Sequence, residues 1–552
     1  MDRDQLLERA MNRGVNRPFY RLVRFFFLPF FLIWFRQERI GSEHVPNEGP
    51  VIFAANHRSF LDPFAISGSS KRPLYFVAKK ELFQKNRLQT WFISSLGAFP
   101  IDRGASDEDS MATARRILER GDGVMIFPEG TRVRPGPIGH PRRGVGRLAL
   151  ETGATVIPVA IIGSEDVRRG WRIRSRKVRV RCGAPLRFPK VDRPSPALAK
   201  AVTDRIWPMV ELQWEALGGT PPLRRVTVIG AGSWGTGLAI SLARSGVQVQ
   251  LGCRTEEQAR TLEADRENRH YLPGHRIPDA VAIARAGSLD LTEADLVCLA
   301  VPTRDLPVAM GEIGDRLGAG TSLLISSKGL VPPTGDLPTA FCAERAGGRA
   351  VACLGGPAHA GDALDHGASI VLACGDGEAL AQLRRLFADA GFDVETTRDV
   401  VGVDLAGVAK NAAVLAATTA SIGGPNASGA AAGKVFSEIA AYAGALGAQP
   451  ETWTGLAGAG DLVASVVAAG GRNRRAGELL ARGLPEREIR PAIGQVAESL
   501  DALPLLVTAL EAQGIRAPAT RALAAVVAGD GSATAFADDV TKPRRIVGAR
   551  VV

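Results

Sequence analysis

The chain has 552 residues, 45% of them apolar, with 62 Gly and 34 Pro; that length excludes a single hydrophobic core and predicts two to four domains of ordinary globular α/β composition. Residues 1–215 hold 37 Lys+Arg against 22 Asp+Glu, a net of +15, whereas the remainder holds 31 against 35, a net of −4. This break predicts two modules with different partners, and the absence of zinc-finger spacing or an aromatic-rich binding motif argues against nucleic acid for the basic one. Anionic lipid or phosphorylated substrates remain.

Residues 19–35, FYRLVRFFFLPFFLIWF, are strongly apolar but interrupted by Arg21, Arg24 and Pro29. The uncharged run Phe25–Phe35 has 11 residues, too few to span a bilayer as a helix, and no small-residue cleavage site marks a secretory signal. A kinked helix pair lying in the membrane interface is predicted, with Phe and Trp at headgroup depth and Arg17, Arg21 and Arg24 on anionic lipid. The alternative is a helix buried in the first domain. Six cysteines, at 182, 253, 298, 342, 353 and 374, form no C-x-x-C pair and predict a reduced, cytoplasmic setting without a metal site. Peripheral or monotopic attachment at the cytoplasmic face follows.

Beyond residue 50, apolar runs predict strands at 51–56, 124–130, 155–162 and 177–183, with helices over 84–96, 107–120 and 142–152. His57 and Asp62 lie in NHRSFLD; a helix beginning at Ser59 and Phe60 would let both converge on one face. Asp62 would then fix the imidazole tautomer, leaving the other ring nitrogen to take a proton from a hydroxyl. No nucleophile elbow is present, so direct attack by a substrate hydroxyl is more economical than an acyl-enzyme. GAFPIDRG (97–104) reads as a turn carrying Arg103, and FPEGTRVR (127–134) as a turn presenting Gly130, Thr131 and Arg132. Guanidinium and amide donors suit a phosphate, which Glu129 would repel unless it contacts a hydroxyl or orients an arginine.

The ordered set NHRSFLD, GAFPIDR, FPEGTR and VIPVAI (156–161) resembles the blocks of the glycerolipid acyltransferase family, especially 1-acylglycerol-3-phosphate acyltransferases. The resemblance covers roughly residues 20–215. It implies acyl transfer from acyl-CoA or acyl carrier protein to a glycerol phosphate, with His57 as base and Asp62 as its partner. Arg103, Glu129, Gly130, Thr131 and Arg132 would hold the acceptor. Lysophosphatidate and glycerol 3-phosphate both remain open as acceptors.

ALGGTPPL (216–223) reads as a linker. RRVTVIG (224–230) then predicts a buried strand running into GAGSWG and a helix over 238–246. Gly230 permits the turn, Gly232 admits a pyrophosphate to the backbone, and Gly235 lets helix and strand pack. Further strands are predicted at 247–254, 294–303, 322–329 and 350–357, and long Ala-rich helices replace this rhythm after about 400. Lys328, Lys410, Asn411, Asp461, Arg472 and Asn473 interrupt apolar surroundings. A lysine in such a helix could snorkel to solvent, but this set also suits reduction of a phosphorylated ketone.

GAGSWGT, NRHYLPG, SKGL, GVAKN, GLAGAGD, GRNRR and GQVAES, spread in order over roughly 224–545, resemble NAD(P)-dependent glycerol-3-phosphate dehydrogenase. The resemblance implies an NAD(P)H/NAD(P)+ cofactor and dihydroxyacetone phosphate as substrate. It places catalysis on Lys328, Lys410 and Asp461, and substrate contacts on Asn411, Ser465, Arg472 and Asn473. Cofactor contacts fall on Gly230, Gly232, Ser233, Trp234, Gly235, Arg254, Lys328, Arg472 and Glu498. Departures are GGPAHA (355–360) for a hydroxyl-bearing segment, Pro425 in a Gly-Asp-Asn segment, and Lys434 for a usual Arg.

The expected architecture is therefore α/β. An acyltransferase domain spans 1–215 and a linker 216–223. A Rossmann-type dinucleotide-binding domain spans 224–400 and an all-helical substrate domain 401–547, with a homodimer possible. The joined activities would make sn-glycerol 3-phosphate and acylate glycerol phosphates in phospholipid synthesis. Two alternatives place a non-catalytic redox sensor in the second half, or a non-catalytic membrane anchor in the first.

Overall fold

The computed structural model describes residues 3–83, 86–101, 108–133, 136–468 and 470–542. The chain forms two compact units, Met1–Pro222 and Leu223–Val552.

In the first unit, seven strands form one sheet in the order Glu38–Ile40, Arg179–Cys182, Thr155–Ile162, Val51–Ala55, Gly123–Ile126, Leu74–Lys79, Ala98–Ile101. Pairing is parallel except between Thr155–Ile162 and Arg179–Cys182. The central strand is buried on both faces, as a parallel sheet covered by helices requires. Its alternation sends Ile52 and Ala54 into one apolar cluster and Val51, Phe53 and Ala55 into another. The expected helices appear as Arg87–Ser95, Glu108–Glu119 and Gly144–Thr152. GAFPIDRG differs from the turn expected of it: Ala98–Ile101 is an edge strand, and Arg103 lies outside the described residues.

The amino-terminal apolar stretch is one helix, Arg17–Trp34, not a kinked pair. Asn16 caps it by accepting from the Phe19 N–H, and Pro29 removes one backbone donor on the exposed side without ending it. Tyr20 and Phe31 are buried, whereas Phe25, Phe26 and Ile33 are 71%, 65% and 78% exposed. Arg17 and Arg21 point outward, but Arg24 turns inward and donates to the Ser67 carbonyl at 3.2 Å, contrary to its expected lipid contact.

The second unit contains an eight-stranded sheet ordered Val281–Arg285, Gln248–Cys253, Arg225–Ile229, Leu296–Leu299, Ser322–Ile325, Val351–Gly355, Ser369–Cys374, Asp393–Thr397. Only Val351–Gly355 and Ser369–Cys374 pair antiparallel among these strands. From Val400 onward the described chain is helical. Val400–Gly423 is long and apolar enough to cross a membrane, but nearly all of helix Val400–Thr419 within it is buried, and it forms the axis of the helical core. A helix apolar on every side belongs in such a position. All six cysteines are buried free thiols; burial raises each described thiol, pushing Cys182 and Cys253 up to about 12.

Candidate active sites

Asn56 ends the central strand of the first unit and locks it to its neighbour. Its Nδ2 donates to the Ile161 carbonyl at 3.0 Å, and its Oδ1 accepts from the Ile161 N–H at 2.8 Å. The next residue is His57. The helix expected to begin at Ser59 begins instead with Asp62, spanning Asp62–Ser67. The loop before it folds back around the Asp62 carboxylate, which is fully buried. Asp62 Oδ2 accepts from the N–H groups of Arg58 (2.6 Å) and Ser59 (2.7 Å) and lies 2.8 Å from His57 Nδ1. Oδ1 accepts from the Ser164 hydroxyl at 2.5 Å. These donors fix the carboxylate, and the carboxylate fixes the ring. With Nδ1 donating, the neutral imidazole carries its acceptor lone pair on Nε2. Phe127 stacks on His57 with centroids 4.1 Å apart and restrains its tilt.

Glu129 occupies a different place from the acceptor contact expected of it. Its side chain is buried, Oε2 accepts from the His57 N–H at 2.6 Å, and the Gly139 N–H donates to Oε1. Together with the Val133 N–H to His57 carbonyl bond of 2.9 Å, this ties the FPEGTR loop to NHRSFLD. Gly130, Thr131 and Arg132 are exposed beside that junction. Gly130 sits at φ +70°, and a Cβ there would lie 2.9 Å from Arg142 Nε. Ser164 and Phe127 were not anticipated as site residues; one is 102 positions from Asp62, and the other reads as ordinary strand apolarity.

In the second unit, Gly230 at φ +110° turns the chain out of strand Arg225–Ile229 into helix Ser233–Arg244. A Cβ on Gly235 would lie 1.8 Å from the Gly230 carbonyl oxygen, so only glycine permits that packing. A Cβ on Gly232 would meet nothing within 4 Å, leaving the backbone open toward the cleft. Ser233, Trp234 and Arg254 line the same cleft, with Arg254 exposed just past strand Gln248–Cys253. An open glycine turn at a helix N-terminus fits the pyrophosphate of a dinucleotide.

Across the cleft, Asp461 bridges the two lysines. Its Oδ2 lies 2.6 Å from Lys328 Nζ and its Oδ1 3.2 Å from Lys410 Nζ. Lys410 Nζ also donates to Ser465 Oγ at 2.9 Å, so this lysine is buried and held rather than snorkelling to solvent. Burial lowers the Lys410 ammonium to about 8; Asp461 opposes this, and the Lys328 charge adds to it. Burial works to raise the Asp461 carboxyl, but Lys328 and Lys410 outweigh it and hold the group below its ordinary range. Asn411 Nδ2 donates to the Lys328 carbonyl at 2.9 Å, and its Oδ1 accepts from Asn473 Nδ2 at 2.8 Å. Asn473 Oδ1 accepts from Ser499 Oγ at 2.7 Å. This chain of amides braces the site, and Arg472 stands exposed on the cleft wall beside it.

Glu498 ties the cofactor loops together. It accepts from the Thr303 N–H and hydroxyl at 3.0 and 2.8 Å and from the Lys328 N–H at 3.2 Å. In the departing segment, Ala358 and His359 line the cleft, and burial, then the Lys410 charge, lower the His359 imidazole. Lys434 donates to the Val540 carbonyl, away from the cleft. Ser499, Thr303 and the Gly356 carbonyl, 3.4 Å from Lys328 Nζ, had no signal in the sequence beyond their neighbours.

A Rossmann-type sheet whose glycine turn opens on the same cleft as a Lys–Asp–Lys cluster built on a buried Asp461 places the second unit among dinucleotide-binding folds, and the first is an α/β unit in which a buried Asp62 holds His57. Family models match in chain order: acyltransferase at 37–162, NAD-dependent glycerol-3-phosphate dehydrogenase N-terminus at 225–380, and its C-terminus at 399–538. Glycerol-3-phosphate dehydrogenase [NAD(P)+] from Chlorobium limicola is 34% identical over 304 residues, 54% of this chain and 91% of that protein. Its counterpart from Thermus thermophilus is 36% identical over 305 residues, 54% of this chain and 92% of that protein. The crystal structure of glycerol-3-phosphate dehydrogenase from Coxiella burnetii aligns with TM-score 0.55 and 27% identity, covering 58% of this chain and 99% of that one. The chain belongs to the NAD(P)-dependent glycerol-3-phosphate dehydrogenase family, with an acyltransferase domain fused ahead of it. NAD(P)H/NAD(P)+ is the cofactor of the second unit.

Proposed function

We propose that the chain carries two activities of phospholipid-precursor synthesis: interconversion of dihydroxyacetone phosphate with sn-glycerol 3-phosphate, and acyl transfer from acyl-CoA or acyl carrier protein to 1-acylglycerol 3-phosphate. The observation that carries this reading is that each unit sets a buried carboxylate, Asp62 or Asp461, against the basic side chains its chemistry needs.

In the second unit, a nicotinamide dinucleotide held in this cleft would supply or accept the hydride. Lys410 stabilises the developing alkoxide and gives up its proton, for which an ammonium lowered to about 8 is well matched. Asp461 aims Lys410 and Lys328 together, and Ser465 holds Lys410 from its other side. Arg472 meets the substrate phosphate, with the Asn411–Asn473 pair keeping the wall beside it rigid. Gly230, Gly232, Ser233, Trp234 and Gly235 hold the dinucleotide, and Glu498 orders the loops of Thr303 and Lys328 around it.

In the first unit, His57 Nε2 takes the acceptor hydroxyl proton as the oxygen attacks the thioester carbonyl, and the thiol leaves with that proton. Asp62 keeps the ring in the required tautomer. Gly130, Thr131 and Arg132 meet the acceptor phosphate, with Glu129 positioning their loop from behind. The exposed face of Arg17–Trp34 lies in the interface of an anionic membrane at its cytoplasmic side, bringing this unit to its lipid substrate. Mass-spectrometric product analysis of the purified chain, supplied with dihydroxyacetone phosphate, NADH or NADPH, lysophosphatidate and acyl donors, tests the reading. Glycerol 3-phosphate and phosphatidate are the expected products; absence of either removes that activity.

A further inference from the structure

We propose that the hairpin Arg168–Ile173 is a second membrane contact of the first unit, a tryptophan-tipped basic finger that takes the phosphates of anionic lipid. The proposal rests on the reading that this unit works at a membrane surface, and it assigns that surface an element far from the amino-terminal helix in sequence.

Two short antiparallel pairs, Arg168 with Ile173 and Arg169 with Arg172, leave Gly170 and Trp171 as the turn, with Gly170 at φ +62°. Trp171 is 83% exposed and Ile173 51%. Exposed tryptophan is costly in water and favourable at headgroup depth, where its ring is half apolar and its N–H still finds a partner. Basic residues outnumber acidic ones from 164 to 177, where Glu165 and Asp166 stand against six Arg and Lys. Arg168, Arg172 and Arg176 are exposed, and among the described residues none of them forms an ion pair. The Arg172 guanidinium stands 5.2 Å from the Trp171 ring, so charge and apolar tip would enter the interface together.

The hairpin is also placed correctly. The Ser175 hydroxyl donates to the Trp34 carbonyl at 2.6 Å, and the Val178 N–H to the Phe35 carbonyl at 3.0 Å. Its base is thus fastened to the end of the helix whose Ile33 and Trp34 are exposed, making the two apolar surfaces neighbours. On its other side, Arg168 stands 5.7 Å from the ring of Phe60, an exposed member of the loop carrying His57 and Asp62. The finger therefore connects the helix end to the mouth of the acyltransferase centre. Charge alone would equally suit an acidic protein surface; the exposed Trp171 and Ile173, on a hairpin hydrogen-bonded at its base to the helix end that carries exposed Ile33 and Trp34, favour lipid.

Flotation of the full chain with phosphatidylcholine vesicles, and with vesicles mixed with anionic phosphatidylglycerol, tests this. Trp171→Ser with Arg172→Gln should weaken partition onto anionic vesicles about tenfold or more, while transfer from acyl-CoA to a detergent-dispersed acceptor stays at the parent level. Brominated lipid should quench the parent more than Trp171→Phe. A double variant that floats on anionic vesicles like the parent overturns the proposal. Unchanged flotation with weakened transfer only from the acyl carrier protein also overturns it, in favour of donor docking. Phe26→Glu with Ile33→Glu, measured alongside, reports separately on the helix: normal flotation of that variant removes the helix reading and leaves the hairpin result standing.

Discussion

Lys410 Nζ stands 3.2 Å from Asp461 Oδ1, both side chains buried, the lysine within helix Val400–Thr419 and the aspartate opening helix Asp461–Val467. The second oxygen of the same carboxylate holds Lys328, so a single group positions both ammoniums. Asp461→Asn keeps the shape and removes the charge. Dihydroxyacetone phosphate reduction should fall about a hundredfold or more in kcat, with NADPH affinity little changed. Steady-state rates beside a direct cofactor titration separate the two; turnover within a few fold of the parent would remove Asp461 from the mechanism.

The same geometry sets a pH dependence. Burial brings the Lys410 ammonium down to about 8 from 10.5, with Asp461 opposing and Lys328 adding to the shift. With Lys410 as the proposed proton donor, kcat/KM for dihydroxyacetone phosphate should decline as pH rises through about 8. Oxidation of glycerol 3-phosphate needs the neutral amine and should rise over the same window. Initial-rate profiles in both directions check the sign, and a reduction profile flat from about pH 7 to about pH 10 would contradict it.

Cofactor choice turns on Arg254. It stands exposed at the end of strand Gln248–Cys253 on the cleft wall, and the first carboxylate after it, Glu256, opens the next helix. A carboxylate at the strand end would repel a 2′-phosphate, whereas a guanidinium pairs with it. NADPH should therefore serve at least as well as NADH. Arg254→Ala should lower kcat/KM about tenfold for NADPH and leave NADH nearly unchanged. A strong parental preference for NADH would overturn this.

The parts of both sites legible in the sequence are those built by neighbours in the chain. GAGSWG announces its turn because strand, glycines and helix follow one another. His57 and Asp62 lie five positions apart, although the reason they meet is a carboxylate capturing the loop N–H groups rather than a shared helix face. The partners of Glu129, His57 and Gly139, are 72 and 10 positions away, so the loop it braces is not legible from its neighbours. Lys410, 51 positions from Asp461, reads in its Ala-rich helix as a residue able to reach solvent, and only the family resemblance pairs the two. The strands Leu74–Lys79, Val281–Arg285 and Asp393–Thr397 were missed for a related reason. Asp393–Thr397 lies at a sheet edge, is half exposed and has no clean alternation; its strand character comes from the neighbour it pairs with.

Both activities measured on single preparations of His57→Ala and Lys410→Met test the central claim most directly. Each compact unit holds its own cluster, His57 with Asp62 in the first and Lys328, Asp461 and Lys410 in the second. His57→Ala should abolish transfer to lysophosphatidate and leave dihydroxyacetone phosphate reduction at the parent rate, and Lys410→Met should do the reverse. Near-parental acyl transfer in His57→Ala, near-parental reduction in Lys410→Met, or loss of both activities in either folded variant would contradict the account.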